Sequence, residues 1–307
     1  MTIFNILALT LCAFSPVSSR LLPRQVFPNS TSESSPNPIG HLYPNSVTGT
    51  LNGTVSLVPI PYSVARSIIP SQYGILTKAY EALLPGFPKD SYPLLIRVPL
   101  DHDLEFGGLN LVPDFQSVHI SYPFVDIFGD GYTSFQYQEY ILLTSTSPIG
   151  LAGTAAYGTI PVPAVFNPDL QAYKYVHPHS HDITVEAFAV NTTYPTRIAK
   201  TRFSPLEEEG RWPLAFYKNA TNQPAFTNPA IGCDNQILFY NTTLSTGVNE
   251  PVHIKGDIEI AAPYFPGGAK FKKAYGIKVD VAFIENNMIP CQDLKGYHGT
   301  GPGDSGA

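Results

Sequence analysis

The segment 132–143, Tyr-Thr-Ser-Phe-Gln-Tyr-Gln-Glu-Tyr-Ile-Leu-Leu, constrains the fold of this chain more than any other. Read with a period of two, one face holds Phe135, Tyr137, Glu139, Ile141 and Leu143, and the other holds Gln136, Gln138, Tyr140 and Leu142. Alternation of this kind, rich in aromatic and β-branched residues, predicts a half-buried strand. The odd face is apolar except for Glu139. A carboxylate among Phe, Tyr, Ile and Leu is costly to ionise unless something pairs with it. The pattern therefore predicts a pocket around Glu139.

Similar runs recur along the chain. Strands are expected at 54–60, 92–100, 115–122, 152–162, 184–190, 196–203, 237–240, 252–260 and 274–284. Segment 252–260 is the clearest, with Val252, Ile254, Ile258 and Ile260 opposite His253, Lys255, Asp257 and Glu259. Helical signals are short: 63–69, stopped by Pro70, and 73–84, stopped by Pro85-Gly86. The chain carries 30 Pro and 24 Gly, so these runs are densely punctuated by turns. Many strands with few helices imply a closed or strongly curved sheet, since closure removes exposed edges. The fold class expected is mainly β, a single curved barrel with a few short helices.

Four units follow in order: a signal peptide at 1–19, a flexible linker at 20–50, the β domain at 51–295 and a mobile tail at 296–307. The first rests on the apolar run 2–15, broken by Pro16 and followed by small residues. That run is too short to span a membrane, which takes about 20 apolar residues. Asn-x-Ser/Thr sequons stand at Asn29, Asn52, Asn191, Asn219 and Asn241, and each is expected at the surface of a secreted glycoprotein. Loss of Cys12 with the leader leaves Cys233 and Cys291, an even pair that in an oxidising compartment predicts one disulfide. The net charge of −6 and the lack of basic blocks argue against nucleic acid and anionic membrane partners.

Four stretches carry a resemblance: 58–70 (Val-Pro-Ile-Pro-Tyr-Ser-Val-Ala-Arg-Ser-Ile-Ile-Pro), 92–98 (Tyr-Pro-Leu-Leu-Ile-Arg-Val), 137–143 (Tyr-Gln-Glu-Tyr-Ile-Leu-Leu) and 156–166 (Ala-Tyr-Gly-Thr-Ile-Pro-Val-Pro-Ala-Val-Phe). In this order they resemble the acetoacetate decarboxylase superfamily. The resemblance implies a β-cone, a curved barrel around a deep pocket, with Glu139 in the place of the family's glutamate. It also implies a lysine pair after that strand. Here the chain departs: Gly86-Phe87-Pro88-Lys89 lies before the strand and is followed by Asp90, and only Lys174 stands near the comparable place. The leader, the sequons and the missing lysine pair are similar to secreted fungal proteins of secondary metabolism, among them hetero-Diels–Alderases. That likeness implies a pericyclase joining apolar polyketide or terpenoid partners. A cycloaddition needs no nucleophile, only a greasy pocket that aligns two partners and a donor that activates one.

The candidate catalytic residues are therefore Glu139, Arg97, which interrupts an apolar strand, and Tyr137. Candidate substrate contacts are His119, Tyr157 and Phe135. His177, His179 and His181 share one side of an extended segment and form a weak metal candidate; no metal and no organic cofactor are otherwise expected. Asp101-His102-Asp103 reads as a solvated turn. Three functions stay open: a pericyclase on small apolar substrates, a lysine-independent decarboxylase or lyase, and a non-catalytic binder of hydrophobic small molecules.

Overall fold

The computed structural model describes residues 32, 35–177, 180–190 and 196–296. The leader read at 1–19, sequons Asn29 and Asn191, His179 and the tail beyond 296 lie outside these residues. The strands are β1 (Val47–Pro61), β2 (Gly74–Ile75), β3 (Ser91–Phe106), β4 (Leu109–Val112), β5 (Phe115–Asp126), β6 (Phe135–Tyr137), β7 (Tyr140–Thr144) and β8 (Ile160–Asn167). They continue as β9 (Lys174–Tyr175), β10 (Ile183–Ala189), β11 (Arg197–Pro205), β12 (Ala225–Phe226), β13 (Cys233–Phe239), β14 (Val252–Ile260) and β15 (Ala269–Ile289). Four short helices interrupt them: α1 (Tyr62–Ile68), α2 (Thr77–Leu83), α3 (Pro148–Ala156) and α4 (Leu214–Thr221). The chain is mainly β, as its alternating runs imply, and the sheet curls into rings.

One ring runs β1–β3–β5–β7–β8–β10–β11–β14–β15 and closes by the β15–β1 pairing. All its contacts are antiparallel except β7–β8. A smaller ring, β13–β12–β6–β5–β3–β1–β15, closes through β13–β15. The two rings share the wall β15–β1–β3–β5, and each takes one face of it. Paired residues share a face, so the register assigns them. Val98, Val118, Leu142, Phe166, Phe203 and Ile258 follow one another around the nine-strand ring and are all buried in its core. The other face of the shared wall carries Arg97, Asp101 and His119. Strands this curved press closely together: a Cβ on Gly256 would overlap the Arg202 carbonyl oxygen, and one on Gly276 that of Val55.

Several expectations are corrected. Strand β1 starts at Val47, and residues before it are packed, so 20–50 is not a linker throughout. Ile39 is buried with Phe239, Ala282 and Ile284, and Asn37 donates to Thr48 Oγ1 at 2.9 Å. The run 152–162 divides into the end of α3 and the start of β8. Ser147 accepts from the Gly150 amide and Pro148 opens the helix, a start signal that the small residues Gly, Ala and Thr obscured. Sequon Asn52 is not at the surface: it is 4 % exposed, inside β1 between two paired strands. Asn219 is half-buried and accepts from Gln223 Nε2, while Asn241 is exposed. No helix among the described residues is long and apolar enough to cross a membrane.

Cys233 and Cys291 form a disulfide that ties β13 to the segment after β15 across 58 residues. Replacing both with Ala should lower unfolding free energy by about 2–4 kcal/mol, read from urea denaturation, because the unfolded chain regains the loop's freedom.

Candidate functional site

A cavity of ≈ 210 Å³ lies against the outward face of the shared wall, between β13, β7 and helix α3. Its wall is apolar: Leu104, Val112, Phe115, Ile141, Leu143 and Phe283. Its polar end gathers Asp101, Ser117, His119, Tyr157, Asp234 and Glu285 with Gln236 and Asn287. A larger groove of ≈ 390 Å³ crosses the surface at β11 and the β14–β15 turn. Its charges are spent on one another there, Arg197 on Glu259 at 3.1 Å and Lys270 on Glu259 at 3.5 Å. The cavity is therefore the better candidate, because its polar groups face a concave, largely apolar space.

Arg97, buried on β3, stands behind the polar end. One guanidinium nitrogen donates to Gln236 Oε1 at 3.0 Å, another to His119 Nδ1 at 3.1 Å. Arginine can only donate, so His119 Nδ1 accepts and the imidazole is neutral. Its Nε2–H is then free to donate to Ser117 Oγ, 2.9 Å away. Burial, then the Arg97 charge, push the His119 pKa well below the ordinary histidine range. Gln138 Oε1 takes its hydrogen bond from Ser121 Oγ at 2.6 Å.

Three carboxyl groups meet this cation. Asp101 is 3 % exposed, and burial, offset in part by Arg97, raises its pKa to about 7. Asp234 and Glu285 share a side-chain hydrogen bond, and burial raises both; the Asp234 charge raises Glu285 further. The pair therefore shares a proton that two separate carboxyl groups would lose. Asn287, oriented with its amide nitrogen inward, donates to Glu285 Oε1 at 3.1 Å and Asp234 Oδ1 at 2.9 Å. Asp101 Oδ1 is enclosed without a hydrogen-bond partner among the described residues. Tyr157, 4 % exposed, packs on Ile141 and Leu143, and its hydroxyl is kept neutral by burial and then by Asp234 and Glu285.

The structure brings together Arg97, His119 and Tyr157 from the sequence candidates. Glu139, Tyr137 and Phe135 are elsewhere. From Tyr137 to Ile141 the chain advances four residues, while its partner strand runs only three, from Tyr122 to His119. The extra residue is a bulge, and it swaps the two faces. Gln138 consequently takes the place expected for Glu139, beside His119. Glu139 is half-buried in a separate hollow of ≈ 50 Å³ with Tyr140 and Tyr264, and it does not pair with Arg97. Tyr137 and Phe135 pack against Phe226 in the aromatic core.

Asp101 and His102 are not a solvated turn either: β3 runs on to Phe106 and buries both. Lys89 is exposed, and the cavity lining includes no lysine. Lys278 has its pKa lowered by desolvation, but it lies on the opposite face of the shared wall, against the Tyr173 ring. His177 and His181 are exposed, and among the described residues no His, Cys, Asp and Glu cluster is placed to hold a metal. Asp234 and Glu285 were not singled out in the sequence; the only signal is an acid at the end of each of two strand-like runs.

No family model matches the chain, and no curated protein matches it in sequence. Among solved structures it is similar to the enduracididine biosynthesis enzyme MppR complexed with pyruvate, at 8% identity and TM-score 0.49, over 80% of this chain and 90% of that one. It is also similar to an acetoacetate decarboxylase-like enzyme from Sphingomonas wittichii RW1, at 5% identity and TM-score 0.43, over 80% and 94% of the two chains. A third similar structure is acetoacetate decarboxylase from Legionella pneumophila subsp. pneumophila str. Philadelphia 1, at 10% identity and TM-score 0.42, over 92% and 98%.

Proposed function

We propose that this protein is an enzyme that moves protons on a small carbonyl compound with an apolar body, in a lyase-type reaction that uses no lysine Schiff base. The observation that carries this reading is the hydrogen-bonded pair of Asp234 and Glu285 at the polar end of an apolar cavity. Two buried acids that share one proton form an acid–base couple. Retro-aldol cleavage uses both. The Asp234 carboxylate takes the hydroxyl proton of a β-hydroxy carbonyl compound and the carbon–carbon bond breaks. Its electrons pass to the carbonyl, whose oxygen receives the Glu285 proton. The products are an enol and a second carbonyl fragment.

The apolar wall and the same donors also suit a cycloaddition, the finer reading of the sequence. Volume favours the lyase. Pockets that enclose drug-sized ligands measure about 300–1,000 Å³, and ≈ 210 Å³ suits one small substrate better than two terpenoid-sized partners. We also propose passage through the secretory pathway, supported by the leader-like run, the disulfide and the exposed sequon at Asn241.

The test is to incubate the protein with small β-hydroxy ketones and follow fragment release by mass spectrometry, with and without borohydride. Release without any borohydride adduct is expected, and Glu285→Gln should lower it about a hundredfold. A lysine adduct, on Lys278 or elsewhere, or unchanged release in Glu285→Gln, overturns the proposal. Release of nothing, with turnover of a quinone methide and an alkene to one stereoisomer, replaces it with the cycloaddition.

A further inference from the structure

Charge decides which small molecules this cavity accepts. Its polar end presents three carboxyl groups, Asp101 from β3, Asp234 from β13 and Glu285 from β15. Against them stands one cation, Arg97, whose terminal nitrogens are already held by Gln236 and by the neutral His119. Among the described residues no lysine lines the space, and Tyr157 is neutral. One enclosed carboxyl oxygen, Asp101 Oδ1, has no hydrogen-bond partner among the described residues. Asp101 is almost wholly buried and lines the cavity, so its free oxygen faces whatever binds there.

A ligand carboxylate placed at this end would add a fourth acid to three, with the terminal nitrogens of Arg97 turned to Gln236 and His119. A donor, or a group gaining positive charge, would meet oxygen acceptors in a medium where such contacts are strong. Resting on the acid–base reading above, we infer that this cavity takes uncharged or cationic ligands and rejects carboxylates. Keto acids therefore lie outside its substrate class, and neutral ketones, aldehydes and imines lie within it.

Three probes of matched shape test this: cyclohexylmethylamine, cyclohexyl methyl ketone and cyclohexanecarboxylate, with dissociation constants from titration followed by NMR at pH 8. The expected order of affinity is amine, then ketone, then carboxylate, with the amine about tenfold or more tighter than the carboxylate. Asp101→Asn and Asp234→Asn should narrow that ratio, and Glu139→Gln, which faces another hollow, should leave it unchanged. Gly153→Leu should abolish binding of all three, because a Cβ there meets nothing nearer than the Asn287 side-chain amide at 3.8 Å and a leucine would fill the cavity. The inference fails if the carboxylate binds as tightly as the ketone in the wild-type protein. It also fails if the acid variants keep the ratio, or if binding survives Gly153→Leu. The wild-type order needs no variant to fold. Nor does it depend on turnover: loss of retro-aldol activity with the order intact would overturn only the reaction.

Discussion

Arg97→Met should lower unfolding free energy by about 3–5 kcal/mol at pH 8, the usual cost of leaving buried charge without its counter-ion. Arg97 is 3 % exposed and holds down the pKa of Asp101, Asp234 and Glu285. Methionine keeps the side chain's bulk but removes the charge and the donors to Gln236 and His119. The carboxyl groups then have one escape, which is to take up protons. The penalty should therefore shrink at pH 5, where protons are plentiful, and Asp101→Asn in the same chain should restore part of the loss at pH 8. Arg97→Lys keeps a charge but not the planar fork, and should fall between. Chemical denaturation at the two pH values reads all of this. A loss under about 1 kcal/mol at pH 8 would mean that the acids do not depend on this cation.

Arg97 was visible in the sequence because a charge interrupts the apolar run 92–100, and His119 because it alternates with serines. The strand-rich curved fold was visible for a similar local reason: alternating runs such as 252–260, cut by proline and glycine. What could not be read locally was register. Glu139 looked like the buried acid of an apolar face, and one bulged residue between Tyr137 and Ile141 turned it to the other side. Asp101 was discounted because its strand was expected to end at 100; it runs to Phe106. Asp234 and Glu285 stand 51 positions apart, and only the antiparallel pairing of Cys233–Phe239 with Ala269–Ile289 makes them neighbours. Such a contact is decided by which strands pair and in what phase, and a one-residue change in that phase would face either acid outward. Helix α3 was missed for a compositional reason. Its Gly, Ala and Thr show no apolar period, and its Ser147-Pro148 start looks like any other turn.

Stability should fall as pH rises from about 5 to about 8, by about 3–5 kcal/mol, opposite to the usual behaviour of proteins whose carboxylates are ion-paired. The direction follows from groups that bind protons more tightly folded than unfolded. Asp101 moves from 3.8 to about 7. Its stabilisation is complete below its unfolded pKa and is lost as pH climbs through the folded one. At 1.36 kcal/mol per unit this single group accounts for about 3 kcal/mol between pH 5 and its folded pKa. Glu285 and Asp234 are raised in the same sense by burial. Asp280, on the opposite face beside His102, is raised to about 6, again by burial. His119 opposes them. Its folded pKa is depressed, so its contribution is present above the ordinary histidine range and is lost as pH falls into it. One imidazole against four carboxyl groups reduces the slope without reversing it. Asp182, Glu186, Asp257 and Glu259 are lowered by partners at the surface, and act only near the acid end of the range. For a chain of this size each kcal/mol moves the melting temperature by about 2–4 °C, so a thermal scan in a buffer series suffices. Asp101→Asn cannot titrate and should flatten the decline, with its largest relative gain at pH 8. A wild-type melting temperature that rises steadily from pH 5 to pH 8 would show these acids to be ionised at no cost, and the acid–base couple would go with them.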